Sequence, residues 1–350
     1  MIIENNKLVK VFMSHLVING GKKLKGEVLV QSAKNSAVAI LCASLMIKDK
    51  VVLKDVPQIE EVNRILELLI SIGVKVEKNK NELIIDASTK LELEKIDKNA
   101  CVKTRSSLLL LGALSSRVKK YKIYKSGGCK LGERTVKPHL YGLNKLGVEV
   151  ESKSKFYEIK NNKLIGKDFV MYESGDTPTE NVIMASVLAK GKTTIKMASS
   201  NYMVQDLCYF LVSAGAKIEG IGTTTLKITG IKSLKKVSGY YIMPDPIVAM
   251  TFLSVGITTK SNIVVKNCPL EFLELELCKL EVMGQKFEIK KKRKSKNKKF
   301  DIVDIEIFPS KLKALPDKIY GRPFPGLNID NLPFFVPILC IAKGRTLVHD

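Results

Sequence analysis

Apolar positions along the chain follow two alternating rhythms. Stretches with an apolar residue every three or four positions end in a glycine and give way to short stretches in which apolar and polar residues alternate. LLISIGVKVEKNKNELII shows the pattern first, and YGLNKLGVEVESKSKFYEI, FLVSAGAKIEGIGTTTLKI and LCKLEVMGQKFEIKK repeat it. The glycines are Gly73, Gly147, Gly215 and Gly284, spaced 74, 68 and 69 residues apart. A period of about 70 residues sustained along the chain predicts a repeated supersecondary unit. Glycine just past the last periodic residue predicts a helix stop at a left-handed position, and the alternation after it predicts a two-stranded hairpin.

Each unit also opens with a helix and a strand. SAKNSAVAILCASLMIKDKVVLKDVPQIEEVNRILELLISIG reads as helix, strand, a turn at Pro57, then the second helix. VKTRSSLLLLGALSSRVKKYKIY, TENVIMASVLAKGKTTIKMAS and PIVAMTFLSVGITTKSNIVVKN open the other three units, and DNLPFFVPILCIAKGRTLVHD opens a fifth. Helices alternating with short strands, apolar faces on both, predict an α/β fold in which neighbouring units pool their cores. Four units are complete and a fifth is begun. The pattern therefore predicts an unfinished object whose last strand needs partners the chain does not supply, as a gene fragment or a protein that pairs with another chain would.

Composition adjusts this picture in three ways. A length of 350 residues with 45% hydrophobic content exceeds one ordinary core and predicts two domains. No segment approaches 18 uncharged apolar residues, which argues against a membrane span, and the opening MIIENNKLVKVFMSHL lacks the features of a secretory signal, so the chain is expected to be intracellular. The formal net charge of +23 comes from 58 basic residues, of which only seven are arginine. Lysine spread over solvated faces attracts anions through screened fields, but base readout favours arginine forks and aromatic platforms. Aromatic residues make up 6% and Trp is absent, so nucleic-acid binding is not expected even for the densest run, KKKRKSKNKK at 290–299, which is predicted to be a hairpin tip. The seven cysteines form no CxxC pair and their count is odd, which argues against a zinc site and a disulfide framework. No cofactor or metal is expected.

One cysteine has different surroundings. Cys129 lies in SGGCKLGER, where two glycines permit close backbone approach and Lys130 and Arg134 favour thiolate. Lys34 and Asn35 follow Ser32 at the mouth of the first helix, where free backbone donors accept anions, although SAKN also fits a plain cap. Arg134 can clamp phosphate or carboxylate oxygens with its fork. Asp330, in FPGLNIDNLPFF, fits an N-cap for the helix that follows it.

Three segments together resemble the enolpyruvyltransferase family: LKGEVLVQSAKNSAVAIL its opening, SGGCKLGERTVKPH its cysteine loop and FPGLNIDNL its acidic segment. The resemblance covers the chain and implies a two-domain fold, an inside-out α/β barrel of six units in which N-terminal strands complete the second domain. On that pattern the first domain is 33–243, with three units and the cysteine loop, and the second combines 1–32 with 244–350 and is incomplete. The implied activity is transfer of the enolpyruvyl group of phosphoenolpyruvate to the 3-hydroxyl of UDP-N-acetylglucosamine in the cytoplasm, as the first committed step of peptidoglycan precursor synthesis. The implied roles are proton donor for Cys129, contact with phosphoenolpyruvate for Lys34, contact with the sugar for Asn35, and base for the reacting hydroxyl for Asp330. Arg105 and Arg134 would meet phosphate or carboxylate oxygens, and Val136, Lys137, His139 and Ser174 would lie on the nucleotide side.

Several positions depart from the family pattern, mostly near the nucleotide. The family's Arg-Pro-Val-Asp-Leu-His run appears as Arg134, Thr135, Val136, Lys137, Pro138 and His139, and MYESGDTPTEN inserts a residue and places Glu173 where a diphosphate is expected. Asn201, Tyr202 and Met203 stand in place of a Glu-Pro-Glu loop. Family arginines that close over phosphoenolpyruvate come from the fifth and sixth units, which leaves the activity of the 350 residues open. The alternatives are a related enolpyruvyltransferase with another acceptor, such as shikimate 3-phosphate, and a binding paralogue without turnover.

Overall fold

A computed structural model describes residues 17–126 and 135–349. β1 (Lys25–Leu29) precedes the first unit, which comprises α1 (Lys34–Ser44), β2 (Lys50–Lys54), α2 (Glu60–Ser71), β3 (Lys75–Asn79) and β4 (Glu82–Asp86). After α3 (Lys98–Lys103), a 3-10 turn at Arg105–Leu109 runs into α4 (Leu110–Ala113), followed by β5 (Lys120–Tyr124), α5 (Lys137–Lys145), β6 (Val148–Ser152) and β7 (Phe156–Asn161). β8 (Asp168–Val170) leads into the third unit: α6 (Asp176–Val187), β9 (Lys192–Lys196), α7 (Tyr202–Ser213), β10 (Lys217–Glu219) and β11 (Thr225–Thr229). β12 (Val237–Tyr241) precedes the fourth: α8 (Pro246–Thr258), β13 (Asn262–Pro269), α9 (Glu274–Val282), β14 (Phe287–Lys294) and β15 (Asp301–Ile307). β16 (Lys318–Tyr320), α10 (Leu332–Cys340) and β17 (Leu347–His349) follow.

The four repeat glycines share one conformation, with φ of +90° at Gly73, +99° at Gly147, +98° at Gly215 and +88° at Gly284. A side chain would strain each turn, so glycine there ends the helix and launches the hairpin. In each unit the hairpin pairs antiparallel with the unit's first strand, and in three units a lead strand from elsewhere adds in parallel: β12 to β2, β8 to β9 and β1 to β13. β12 follows the third unit and joins the sheet of the first, which ties three units into a ring, while the N-terminal β1 joins the fourth. The expectation that the last strand lacks a partner in the chain is corrected, because β17 pairs in parallel with β16 by the same rule.

Strands alternate buried and exposed residues, as in Val51, Leu53, Leu83 and Ile85, so each sheet turns one face to solvent. α1 and α6 are buried nearly all round, from Ser36 to Ser44 and from Pro178 to Val187. Helices buried on every side belong inside, and here α1 packs on α4 and α7 while α6 packs on α4, α5 and α7. The close approach of α4 to α6 requires Gly112, since a Cβ there would lie 2.3 Å from the Asn181 carbonyl oxygen.

Apolar side chains divide into two clusters. One runs from Ala33 to Met243 and takes in Phe272 and Phe300, and the other gathers Val30 with residues of α8 to α10. Two short crossings connect them side by side: Ser32 and Pro244 form an antiparallel bridge, the Ala33 N–H donates to the Met243 carbonyl at 2.7 Å, and the Asp245 N–H donates to that of Gln31 at 2.8 Å. Phe272, beside the fourth unit's hairpin, stacks edge-on against Tyr202 and Phe300 with centroids 5.9 and 5.8 Å away.

Half of the lysine-rich run, 290–294, is strand in β14, and 295–299 form the tip. Its charge meets the acidic partner strand: Lys294 pairs with Asp301 directly opposite at 2.8 Å, and Lys290 with Glu306 and Arg293 with Asp304, the latter at 2.8 Å, pair on the diagonal. The tip then seats on the first cluster, where Asn297 Nδ2 donates to Asp206 Oδ1 at 3.2 Å and to the Tyr241 carbonyl at 3.1 Å, and Lys296 pairs with Asp55 at 2.6 Å. Lys119, Lys160, Lys163, Lys190 and Lys232 line a hollow of about 1220 Å³ at the C-terminal ends of α4 and α6. Cations there complement the carbonyl ends of the helices. Among the described residues no helix is long and apolar enough to cross a membrane, and no group of three or more His, Cys, Asp or Glu side chains is placed to hold a metal ion.

Candidate active site

A cleft of about 890 Å³ opens where the N-terminal ends of α1, α6 and α8 meet the start of α10. It brings together five of the residues singled out from the sequence: Lys34, Asn35, Arg105, His139 and Asp330. Val136, Lys137 and Ser174 flank it through their neighbours Thr135, Glu173 and Gly175 but do not line it. Cys129 and Arg134 lie outside the described residues.

Lys34 is held from two sides. Its N–H donates to Asp245 Oδ2 at 3.1 Å, and its ammonium pairs with Glu61 Oε2 at 2.8 Å. Asp245 also accepts the Ile247 N–H at 2.8 Å, so one carboxylate caps α8 and orders the start of α1 across the crossings between the two clusters. Burial pushes the Glu61 carboxyl up, but hydrogen bonds from Lys34, Ser106 and Thr104 outweigh it and the net direction is down. Glu61 therefore stays charged and pins Lys34. Asn35 Nδ2 donates to the Tyr202 hydroxyl at 2.9 Å, which fixes the amide from a fully buried ring.

Arg105 opens the 3-10 turn before α4 and donates from Nη2 to the Thr135 carbonyl at 3.2 Å. His139 is 2% exposed, and burial, with the Arg105 charge second, lowers its pKa to about 3, so the ring is neutral. Asn181 Nδ2 lies 2.9 Å from His139 Nδ1 while Asn181 Oδ1 accepts the Gly112 N–H at 2.6 Å. With an amide donor facing Nδ1, the ring proton sits on Nε2. Asp330 is exposed and does not cap α10; its N–H donates to Asn328 Oδ1 at 2.9 Å, and Asn331 stands at the N-cap with no side-chain cap bond. The carboxylate is thus left for the cleft it lines.

Sequence reasoning singled out Glu173 and Asp330 but missed Asp176, Glu180 and Asp245, which make this side of the cleft acidic. Glu173, Asp176, Glu180, Asp245 and Asp330 line it, against Lys34 and Arg105 among the described residues. Asp176 accepts from Ser199 Oγ at 2.5 Å and Asn201 Nδ2 at 3.2 Å, yet burial and the Asp330 charge leave its pKa raised. Burial also raises Asp245 and, most strongly, Glu180. The signal available beforehand was the inserted residue of MYESGDTPTEN, which brings Asp176 to the first turn of α6, one turn before Glu180. Chemically, the cleft offers cations and helix N-termini for anionic oxygens on one side and a wall of carboxyl groups for hydrogen-bonding neutral groups on the other.

Residues 18–340 match the family model described as EPSP synthase (3-phosphoshikimate 1-carboxyvinyltransferase). Curated relatives include UDP-N-acetylglucosamine 1-carboxyvinyltransferase 2 of Caldanaerobacter subterraneus, 36% identical over 97% of this chain and 78% of its own length, and UDP-N-acetylglucosamine 1-carboxyvinyltransferase of Porphyromonas gingivalis, 34% identical with the same coverage. Among solved structures, the enolpyruvyl transferase NikO from Streptomyces tendae superposes with a TM-score of 0.79 at 20% identity, covering 95% of this chain and 77% of that one. EPSP synthase from Acinetobacter baumannii superposes with a TM-score of 0.69 at 18% identity, covering 94% and 74%. These two likenesses concern the fold. With a family model that spans nearly the whole sequence and relatives above one-third identity along it, the chain belongs to the EPSP synthase (3-phosphoshikimate 1-carboxyvinyltransferase) family.

Proposed function

We propose that the protein transfers the enolpyruvyl group of phosphoenolpyruvate to the 3-hydroxyl of UDP-N-acetylglucosamine, with release of phosphate, as a step of peptidoglycan precursor synthesis in the cytoplasm. The observation that carries this reading is the convergence of Lys34, Asn35, Arg105 and Asp330 on one cleft at helix N-termini, in a chain whose curated relatives bear the name of that transferase. In this reading the cleft lies between a first domain of residues 33–243 and a second that combines 1–32 with 244–350.

Addition forms the carbon–oxygen bond at the phosphate-bearing carbon, moves the hydroxyl proton to Asp330 and delivers a proton from Cys129 to the terminal vinyl carbon. Elimination breaks the bond to the phosphate oxygen, returns a methyl proton to the Cys129 thiolate and restores the double bond, while the proton held by Asp330 leaves with the departing phosphate. Lys34 neutralises the phosphoenolpyruvate oxygens, Arg105 and Arg134 hold phosphate or carboxylate, Asn35 orients the sugar, and Val136, Lys137, His139 and Ser174 border the nucleotide. Because the matching family model is described by 3-phosphoshikimate, shikimate 3-phosphate is the second acceptor to consider.

Phosphate release from phosphoenolpyruvate, measured with each acceptor in turn, tests the reading. Turnover is expected with UDP-N-acetylglucosamine, and Cys129→Ala is expected to lower kcat by about a hundredfold or more. Turnover with shikimate 3-phosphate alone would move the assignment to the second acceptor. An unchanged kcat in the alanine variant would remove Cys129 from proton donation.

A further inference from the structure

Glu180 is the least explained polar group in the molecule. It sits on α6 with 1% exposure, lines the floor of the cleft, and its Oε1 has no hydrogen-bond partner among the described residues. Its polar neighbours on α6 are paired, Thr179 with Gly175 and Ser199, and Asn181 with Gly112 and Leu108, while Val182, Ile183 and Met184 beyond them are fully buried. Cys42 of α1 and Cys208 of α7 lie close enough on the core side for the glutamate to perturb both thiols. Folding gains nothing from a carboxyl group there, because an unpaired buried acceptor costs stability that a methionine at the same position would not.

Asp176 stands four residues earlier on the same helix, and burial first and the Asp176 charge second push the Glu180 carboxyl well above the usual carboxylate range. A protonated carboxyl presents one O–H donor beside one carbonyl acceptor. That edge complements a neutral hydroxyl or amide. The carboxylates of Asp176 and Asp330 repel phosphate from the same wall, while Lys34 and Arg105 are the cations lining the cleft among the described residues.

We propose that Glu180 is a specificity-determining residue of the cleft: its carboxyl group hydrogen-bonds a neutral hydroxyl or amide of the acceptor at the carboxyl wall, away from the acceptor's phosphate. This rests on the enolpyruvyl-transfer reading above and adds to it the group that reads the acceptor's neutral part.

The test is calorimetric titration of UDP-N-acetylglucosamine and of shikimate 3-phosphate into the full chain and its Glu180→Gln and Glu180→Met variants, with melting temperatures and the KM for phosphoenolpyruvate recorded beside them. Glutamine keeps a donor and an acceptor and is expected to bind the acceptor within about threefold of the unmodified chain. Methionine keeps the length without the polar edge and is expected to weaken acceptor binding by about tenfold or more, with an unchanged KM for phosphoenolpyruvate and an equal or higher melting temperature. Equal acceptor affinity in the methionine variant would overturn the inference and leave the proposed function standing. Lower melting temperatures in both variants, with every ligand weakened alike, would overturn it in favour of a purely structural role. An unmodified chain that binds neither acceptor would overturn the proposed function and this inference together.

Discussion

Asp206 offers the sharpest link between burial and pH. It is fully buried on α7, and its carboxyl accepts from the Tyr240 hydroxyl at 2.6 Å, the Met243 N–H at 3.2 Å and Asn297 of the docked hairpin tip at 3.2 Å. Burial dominates these donors and raises its pKa from 3.8 to about 7. Between those values the folded state holds a proton that the unfolded state has released, so this group's contribution to stability falls as pH rises. The slope reaches about 1.4 kcal/mol per pH unit, and some three units amount to about 4 kcal/mol lost by pH 8. Asp206→Asn removes that dependence. Its amide oxygen can still accept from Tyr240 and Asn297, but its NH₂ then faces the Met243 N–H, at a cost of about 1–3 kcal/mol. The variant is therefore expected to be less stable than the unmodified chain below about pH 4 and more stable at about pH 8, with the curves crossing between. Urea unfolding of both proteins across that range isolates the term, since every other titrating group cancels in the difference. A difference that stays constant to within about 0.5 kcal/mol from pH 5 to pH 8 would refute the reasoning.

Further substitutions probe the rest of the scaffold and site. Arg117 ties three carbonyls together, those of Leu45 and Ala87 through Nη1 at 2.8 and 2.7 Å and that of Thr89 through Nη2 at 3.3 Å; Arg117→Lys cannot span them and is expected to lower stability by about 2 kcal/mol, read by thermal denaturation. Phe272→Ala opens the aromatic contact by which the fourth unit packs into the first cluster and is expected to cost about 3–5 kcal/mol, read by urea unfolding. Glu61 has a lowered pKa, so its contribution is complete at neutral pH and is lost as pH falls through the folded-state value; Glu61→Gln is expected to flatten the acid limb of the melting curve and to raise the KM for phosphoenolpyruvate several-fold by releasing Lys34.

What could be read beforehand was what local chemistry repeats. The left-handed glycines, the alternating hairpins and the buried opening helices recur in each complete unit, so neighbouring residues carry that information. Lys34 and Asn35 were legible for the same reason, since a helix start announces itself within a few residues. The carboxyl wall was not. Asp176 and Glu180 share the first turns of α6, but Asp245 comes from the N-cap of α8 and Asp330 from the segment before α10, and nothing local to any of these three places signals that they meet at the same cleft. The lysine run showed its hairpin but not its contacts: most of its charges are matched by an acidic strand across the hairpin, while Lys296 and the neutral Asn297 reach the first cluster.

Asn297 and Asp245 together constrain how the cleft can move. Asp245 joins the starts of α1 and α8 directly at the crossings, and Asn297 fixes the far end of the fourth unit's hairpin onto Asp206 and Tyr241. Phe272 adds an aromatic contact to Tyr202, and Ser200 Oγ donates to the Phe324 carbonyl at 3.2 Å, so the segment that leads to Asp330 is also tied to the cluster that carries Lys34 and Asn35. Asn297→Ala loosens one attachment without touching the cleft, and it is expected to lower kcat more than it raises the KM for phosphoenolpyruvate; the opposite split in steady-state kinetics would show that the hairpin contact does not guide Asp330.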